Sequence, residues 1–468
     1  MSIINKLKKE TSPSKDYIFK ELEISKVNIT LLFNEVLTSS DNINDFILRK
    51  LVKVSKKELK KLNNILPDSN LKIIKNNQIL DFVNKGYLII ITPYNNYAIE
   101  VKSKLDRGIT TIESELSLTG PKDSFSENFN TNLGLIRKRI KTSDLFCEDI
   151  ELGRKTKTKI GILYIDGIVK KSIVKKIKKK LETIDIDGII DSSYLKGNLE
   201  YKNTVFPTIM LSERPDKSCM ALLEGKVVII VDMSSYAIIL PNFFIDYFHT
   251  VDDYYQKSGN ITFIRIIRFI AFLIAILTPA IYISITTRNY DLVPLKLLYM
   301  LKAGRTFVPF PAFIEALFMI IAFEILKESD LRMSTSNSAV SILGGLILGD
   351  AAVSAGIVSP IMIIVIAISS IAGLVFQSIE LVNAIRIYKI FLLLLSSFLG
   401  IYGVIIGISL MIYKLLKIEI FDIPYLAPFI PFIKTETNDT LIRKENNIKL
   451  RNPLLSDNSI RGKCKWKK

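Results

Sequence analysis

Two patterns of apolar spacing divide the chain. Up to about residue 258, apolar and polar positions stay mixed, and no uninterrupted apolar run reaches the roughly 20 residues that a helix needs to cross hydrocarbon. After Ile261 the apolar runs lengthen. Residues 269–285 (with 261–268 as their approach), 308–326, 356–379 and 387–413 predict four spanning helices. Between the second and third, residues 338–355 are small and glycine-rich, with Gly344, Gly345 and Gly349. They predict a half-helix or re-entrant segment, which survives at membrane depth only where protein or water covers it. Residues 418–433 carry Pro424, Pro428 and Pro431 and predict an interfacial segment.

The first half repeats itself. Residues 29–37 resemble residues 160–168, and each strand-like run precedes a helical pattern. Ile43, Ile47, Leu51 and Val54 recur at helical spacing in one copy; Ile173, Ile177, Leu181 and Ile184 do so in the other. Farther on, residues 86–99 align with 225–238, and Gly86/Gly225, Ile90/Ile229, Ile91/Ile230 and Tyr97/Tyr236 coincide. Strand, polar turn and strand fit both copies, so each ends in a β-hairpin. The expected architecture is a duplicated α/β region, 15–145 and 150–257, followed by an α-helical integral membrane domain, 261–433, and a basic tail, 434–468.

Charge then fixes an orientation. The 468 residues include 63 Lys+Arg and 46 Asp+Glu, for a net charge of +17, yet the mean hydropathy is +0.30. A basic nucleic-acid binder is normally not this oily; basic and oily together point to a membrane protein with its positive charge on one side. From Leu441 onward, nine Lys/Arg against two acids leave +7, which puts the tail in the cytoplasm. The amino terminus lacks an apolar signal region, so it too is expected inside. An even number of crossings follows. Arg288, Lys296, Lys302 and Arg305 make the expected outer loop basic as well, against this trend. Arg265 and Arg268 are placed to snorkel to headgroups. Cys147, Cys219 and Cys464 are too scattered for a disulfide framework or zinc site, and a lone His249 leaves no metal cluster or triad. No enzyme chemistry and no cofactor is expected.

Three stretches resemble the A subunit of GerA-type spore germination receptors. The first is 108–145, with Gly120, Pro121, Phe125, Glu127, Asn132, Leu135, Ile136, Arg137, Arg139 and Ile140. The second is 212–255: Ser212-Glu213-Arg214-Pro215-Asp216, then the hairpin, then Asp252-Asp253-Tyr254-Tyr255. Ser212 stands where the family usually has Thr. The third runs from Pro309-Phe310-Pro311 through Glu315 and Glu324 to 348–356, with Asp350 where Gln is often found. The resemblance implies a protein of the inner spore membrane working with a transporter-like B subunit and a lipoprotein C subunit. It also implies a homo-oligomer that forms or gates a nutrient-triggered ion path. A non-conducting scaffold that docks partners through its cytoplasmic half is the alternative, and nucleic acid is not an expected partner.

Candidate residues follow. Glu315 and Glu324, nine residues apart on one helix, point about 180° apart. Carboxylates in hydrocarbon face water or a partner. Glu315 is a candidate for a pore or subunit contact, and Glu324 for a pore or for an interfacial pair with Lys327 and Arg332. Gly344, Gly345 and Gly349 serve tight packing or, with Asp350 and Ser354, line a pore. Asp216 suits an N-cap, and Arg214 a pair across a boundary, beside Glu213. Arg137 and Arg139 lack the interleaved aromatics of a single-strand binder and fit a solvated face or lipid contact.

Overall fold

Short apolar runs, buried on both faces of the sheet, build the first half as strands. The computed structural model describes residues 3–12, 14–52, 54, 59, 62, 71–102, 115, 117, 119–332, 338–433, 439–443 and 452–456. Helix α1 (Ile3–Thr11) precedes β1 (Tyr17–Ile24) and β2 (Val27–Asn34). The helical spacing of Ile43, Ile47 and Leu51 gives three short pieces, Ser40–Asn42, a π-helical Ile43–Leu48, and Arg49–Leu51. Then come β3 (Lys72–Ile74), α2 (Ile79–Val83), β4 (Tyr87–Ile91) and β5 (Asn96–Glu100). The antiparallel sheet has the order β1-β2-β4-β5-β3. Neighbouring residues bury opposite faces. Leu31, Leu88 and Ile90 join Ile43, Ile47 and Leu51 on one side; Leu32, Ile89 and Ile91 join Leu7 and Ile79 on the other. Each such side chain contributes about 1.5–3 kcal/mol.

The second half repeats the plan. After α3 (Phe129–Arg139) come β6 (Leu145–Leu152), β7 (Thr158–Ile165), α4 (Lys171–Glu182), α5 (Ser192–Leu199), β8 (Met210–Ser212), α6 (Pro215–Glu224), β9 (Val227–Val231) and β10 (Ala237–Leu240). The order β6-β7-β9-β10-β8 matches the first sheet position for position. The lysine-rich α4 buries Ile173, Val174, Ile177 and Leu181. Its lysines find partners: Lys178 with Glu148, Lys176 with Asp422, and Lys180 with the Leu199 carbonyl.

The rest is helical: α7 (Ser258–Thr287), α8 (Leu295–Ala303), α9 (Ala312–Arg332), α10 (Ser338–Ser354), α11 (Pro360–Gly373), α12 (Ile379–Leu399) and α13 (Ile401–Leu416). By length and composition, α7 and α12 are long and apolar enough to cross a membrane, and α11 and α13 are shorter apolar helices. Leaving out the short α8, these helices alternate in direction. The far end of α7 meets the α12–α13 turn, where Asn289 Oδ1 accepts from Ile401 N at 2.9 Å. The start of α9 meets the start of α11, where Glu315 accepts from Ser359 N at 3.1 Å. At the near end, Glu380 of α12 pairs with Lys196 of α5.

Three expectations need correction here. The glycine-rich segment is not broken: α10 is continuous from Ser338 to Ser354, because its glycines stay helical and pack against neighbours. The run 356–379 holds only the 14-residue α11. The run 387–413 is two helices, because Gly400 at φ +62° reverses the chain. A side chain there would sit 2.2 Å from Asn289 Oδ1, so the turn accepts glycine alone.

Residues 418–427 dock on the second sheet. They contain the small hairpin β11 (Glu419–Ile420) and β12 (Ile423–Pro424), and Tyr425 donates to the Pro207 carbonyl at 2.6 Å. The core of the second sheet runs without a break into α7 and α12. Phe244 and Phe248 meet Phe272 edge-on, Phe248 also meets Phe376, and Phe206 meets Phe244 edge-on and stacks on Tyr388 at 5.0 Å. Each such pair adds about 0.5–1.5 kcal/mol beyond area burial.

Candidate functional site

Motif residues of the sheet half gather around one buried guanidinium, that of Arg214. Arg214 caps the start of α6 by position, with Pro215 as the first helical residue. Asp216 is therefore not the N-cap; it lies inside the first turn and accepts from Lys217 N at 2.9 Å. All five Arg214 N–H donors are used. Nε and Nη2 fork onto Asp216 at 3.0 and 2.8 Å. Nη1 reaches the Glu115 carbonyl at 3.1 Å and Ser117 Oγ at 2.7 Å, and Nη2 reaches the Pro121 carbonyl at 3.0 Å. Burial raises the Asp216 carboxyl, but Arg214 and Tyr255 outweigh it and hold it below the ordinary value. Glu213 binds this crossing segment too: its side chain accepts from Glu115 N at 2.9 Å, and its carbonyl from Phe125 N at 2.8 Å. Lys217 pairs with Glu115 at 2.6 Å. Tyr255 donates to Asp216 at 2.9 Å, and its ring lies against Gly120 (φ +112°) where a side chain would come within 2.6 Å.

A second buried arginine ties the two sheets. Arg137, expected on a solvated face, is fully buried on α3. Its Nη2 donates to Asp16 Oδ1 at 2.9 Å and its Nη1 to Tyr17 at 3.3 Å, while Asn34 donates to Asp16 Oδ2 at 2.7 Å. The Tyr17 hydroxyl is pushed up to about 12 by burial. Arg139 holds Asp123 at 2.6 Å. Arg137 is thus shut off from solvent, while Arg139 stays a quarter exposed.

The junction with α7 is ionic as well. Arg265 and Arg268 do not snorkel outward, because Asp253 holds both, at 3.0 and 2.8 Å. Arg265 also donates to Asp439 at 3.0 Å and to the Thr440 carbonyl at 2.7 Å. His249 Nε2 lies 2.9 Å from the same carbonyl. Burial first, then Arg265, lowers the imidazole to about 4. The unfolded chain therefore takes up a proton that the folded chain refuses between about pH 6.5 and 4. Stability from this group is complete above the unfolded value and falls as pH drops, by at most about 3 kcal/mol. Thermal unfolding from pH 7 to 4.5 should show that loss, and His249→Gln should flatten it.

Glu315 and Glu324 are paired with cations inside the chain. Glu315 is buried, with Arg305 at 2.9 Å and Ser359 N at 3.1 Å. This explains one of the basic loop residues that opposed the charge bias. Glu324 meets Lys327 of its own helix at 3.9 Å, and Arg386 and Lys389 of α12 at 2.7 and 3.3 Å. The side chain of Arg332, its other expected partner, lies outside the described residues.

Helix α10 separates its two faces. Gly344 and Gly345 face Leu326 and Phe323 of α9, and Gly349 faces Ile363 of α11. Ile347, Asp350 and Ser354 are exposed. Their spacing of three and four places them on one stripe. Most of the basic tail lies outside the described residues; 452–456 dock on the second sheet, where the Leu455 carbonyl accepts from Lys170 N at 2.9 Å.

Among the described residues no three His, Cys, Asp or Glu side chains gather as a metal site. A cavity of about 60 Å³ beside α6 and β10 is lined by Glu224, Lys226, Asn242, Asp246 and Tyr254. That volume suits a couple of waters, at about 30 Å³ each, rather than an organic ligand. Sequence reasoning flagged Arg214, Asp216, Arg137, Glu315 and the motif that holds Asp253 but missed Asp16, Glu115 and Asp439. Each of these three is joined to its partner only by folding.

A family model described as Bacillus/Clostridium GerA spore germination protein matches residues 5–454. Spore germination protein KA of Bacillus subtilis (strain 168) is 34% identical over 453 residues, covering 94% of this chain and 83% of that protein. Spore germination protein GerQA of Bacillus cereus is 33% identical over 449 residues, covering 95% and 90%. The crystal structure of the N-terminal domain of the A subunit of the Bacillus megaterium spore germinant receptor GerK3 is 28% identical, covering 52% of this chain and 94% of that one, with a TM-score of 0.41.

Proposed function

The chain belongs to the Bacillus/Clostridium GerA spore germination family, and on that premise we propose that it is the A subunit of a nutrient-sensing germinant receptor. In this reading it sits in the inner spore membrane, with its sheets and basic tail on the core side. It has no catalytic role. It assembles with further copies of itself, a transporter-like B subunit and a lipoprotein C subunit, and forms or gates the path by which ions leave at the start of germination.

One observation carries the ion-path reading. Asp350 and Ser354 stand one turn apart on the exposed face of an otherwise apolar helix. A carboxylate facing hydrocarbon costs several kcal/mol, so another subunit or a water-filled path covers that stripe. Glu315 serves differently, because Arg305 already neutralises it and it locks α9 to the start of α11. Ligand sensing would shift the oligomer between a closed and an open packing.

Reconstitution with both partners into liposomes, with nutrient-dependent conductance as the readout, tests this. Asp350→Asn should lower cation conductance or selectivity several-fold with assembly intact, whereas Glu315→Gln should weaken folding and leave selectivity unchanged. Absence of nutrient-dependent conductance, or indifference to Asp350→Asn, would overturn the ion-path assignment.

A further inference from the structure

Lys327, Arg386 and Lys389 all turn toward one carboxylate, Glu324. Three cations against one anion leave this cluster with a charge of +2. It is also shielded from water: the Lys389 side chain is 4% exposed and that of Lys327 17%, while Arg386, at 29%, opens to the surface. Charges so placed are normally compensated. Lys327 points at the end of α11, where Gly373 leaves room: a side chain added there would lie 3.9 Å from Nζ.

The level of the cluster is also informative. The near end of α12 is fixed to the second sheet by Glu380–Lys196, and Tyr388, beside Lys389, stacks on Phe206 of the sheet half. The cluster therefore lies at the sheet-side edge of the helical layer. Ile325 and Ile387, next to its members in sequence, and Leu374, next to Gly373, are large, apolar and exposed. An anion that satisfies the cations and also presents hydrocarbon to this rim is an anionic phospholipid.

We propose that Lys327, Arg386 and Lys389 bind the phosphate group of an anionic phospholipid at the sheet-side membrane boundary, with Glu324 spacing the cations. Arg386 supplies planar paired donors and the lysines supply point charges, a usual division for phosphate. The inference rests on the membrane reading above.

The test uses the full-length protein in a neutral detergent. Its thermal unfolding is followed with added phosphatidylglycerol, phosphatidylcholine or inorganic phosphate. Phosphatidylglycerol should raise the midpoint, and the other two should not. Arg386→Gln should weaken phosphatidylglycerol binding about fivefold, and Lys327→Gln by a similar factor. Arg386→Lys should restore part of it. Equal stabilisation by phosphatidylcholine or by inorganic phosphate would overturn the lipid site, as would phosphatidylglycerol binding that ignores both substitutions. A variant that fails to fold is replaced by Arg386→Lys, read by the ratio of phosphatidylglycerol to phosphatidylcholine retained in native mass spectra. A ratio equal to wild type also overturns the proposal. Failure of the membrane reading itself would show separately, as a chain that stays soluble without detergent.

Discussion

Arg214→Ala is expected to destabilise the protein by about 3–5 kcal/mol, the usual cost of removing one partner from a buried ion pair. Asp216 would be left nearly dry and without its fork, and the carbonyls of Glu115 and Pro121 would lose their donor. The segment around residues 115–125 should therefore peel from the second sheet before the sheet itself melts. Limited proteolysis and hydrogen exchange of that segment read the first event, and thermal unfolding reads the second. Arg214→Lys keeps the charge but lacks the planar fork, so it should recover less than half of the loss. A loss under about 1 kcal/mol for Arg214→Ala would show that the clamp contributes little.

Asp253→Asn is expected to cost about as much, roughly 3–5 kcal/mol, because two arginines share that carboxylate. Burial raises the Asp253 carboxyl, but Arg268 and Arg265 outweigh it and keep it below its ordinary value. Its stabilising share is thus complete above the unfolded value near pH 3.9 and is lost as pH falls through the folded one. The asparagine variant should lose that acid dependence and show faster amide exchange across residues 249–268. Unchanged exchange there would mean that the aromatic contacts alone hold α7 to the sheet.

What was legible in the sequence had a local physical cause. The two hairpins were readable because an apolar run, a polar turn and a second run lie within about fourteen residues of each copy, and β4–β5 and β9–β10 stand where that spacing puts them. The paired helices after β2 and β7 followed from their apolar stripes. The helical half was less legible because hydropathy averages over a window, and one glycine at residue 400 reverses the chain without changing that average. The buried charges were hidden for another reason. Arg214 meets the Glu115 carbonyl across 99 positions and Arg265 meets Asp439 across 174, so no local pattern marks them. Arg305 and Glu315 are only ten residues apart, yet a turn between two helices was needed to join them.

The unbroken core between the second sheet and helices α7 and α12 has a mechanical consequence. A core packed at interior density does not bend continuously; it moves as a block or changes between discrete packings. A push on the second sheet is therefore delivered to α7 and α12 without slack, through the aromatic cluster and the Asp253 pairs. The first sheet has its own two cores and is joined to the block through side chains such as Arg137 and Asp16. The seam between the two sheets therefore rests on buried polar pairs such as this one, whereas the second sheet and its helices share one apolar core.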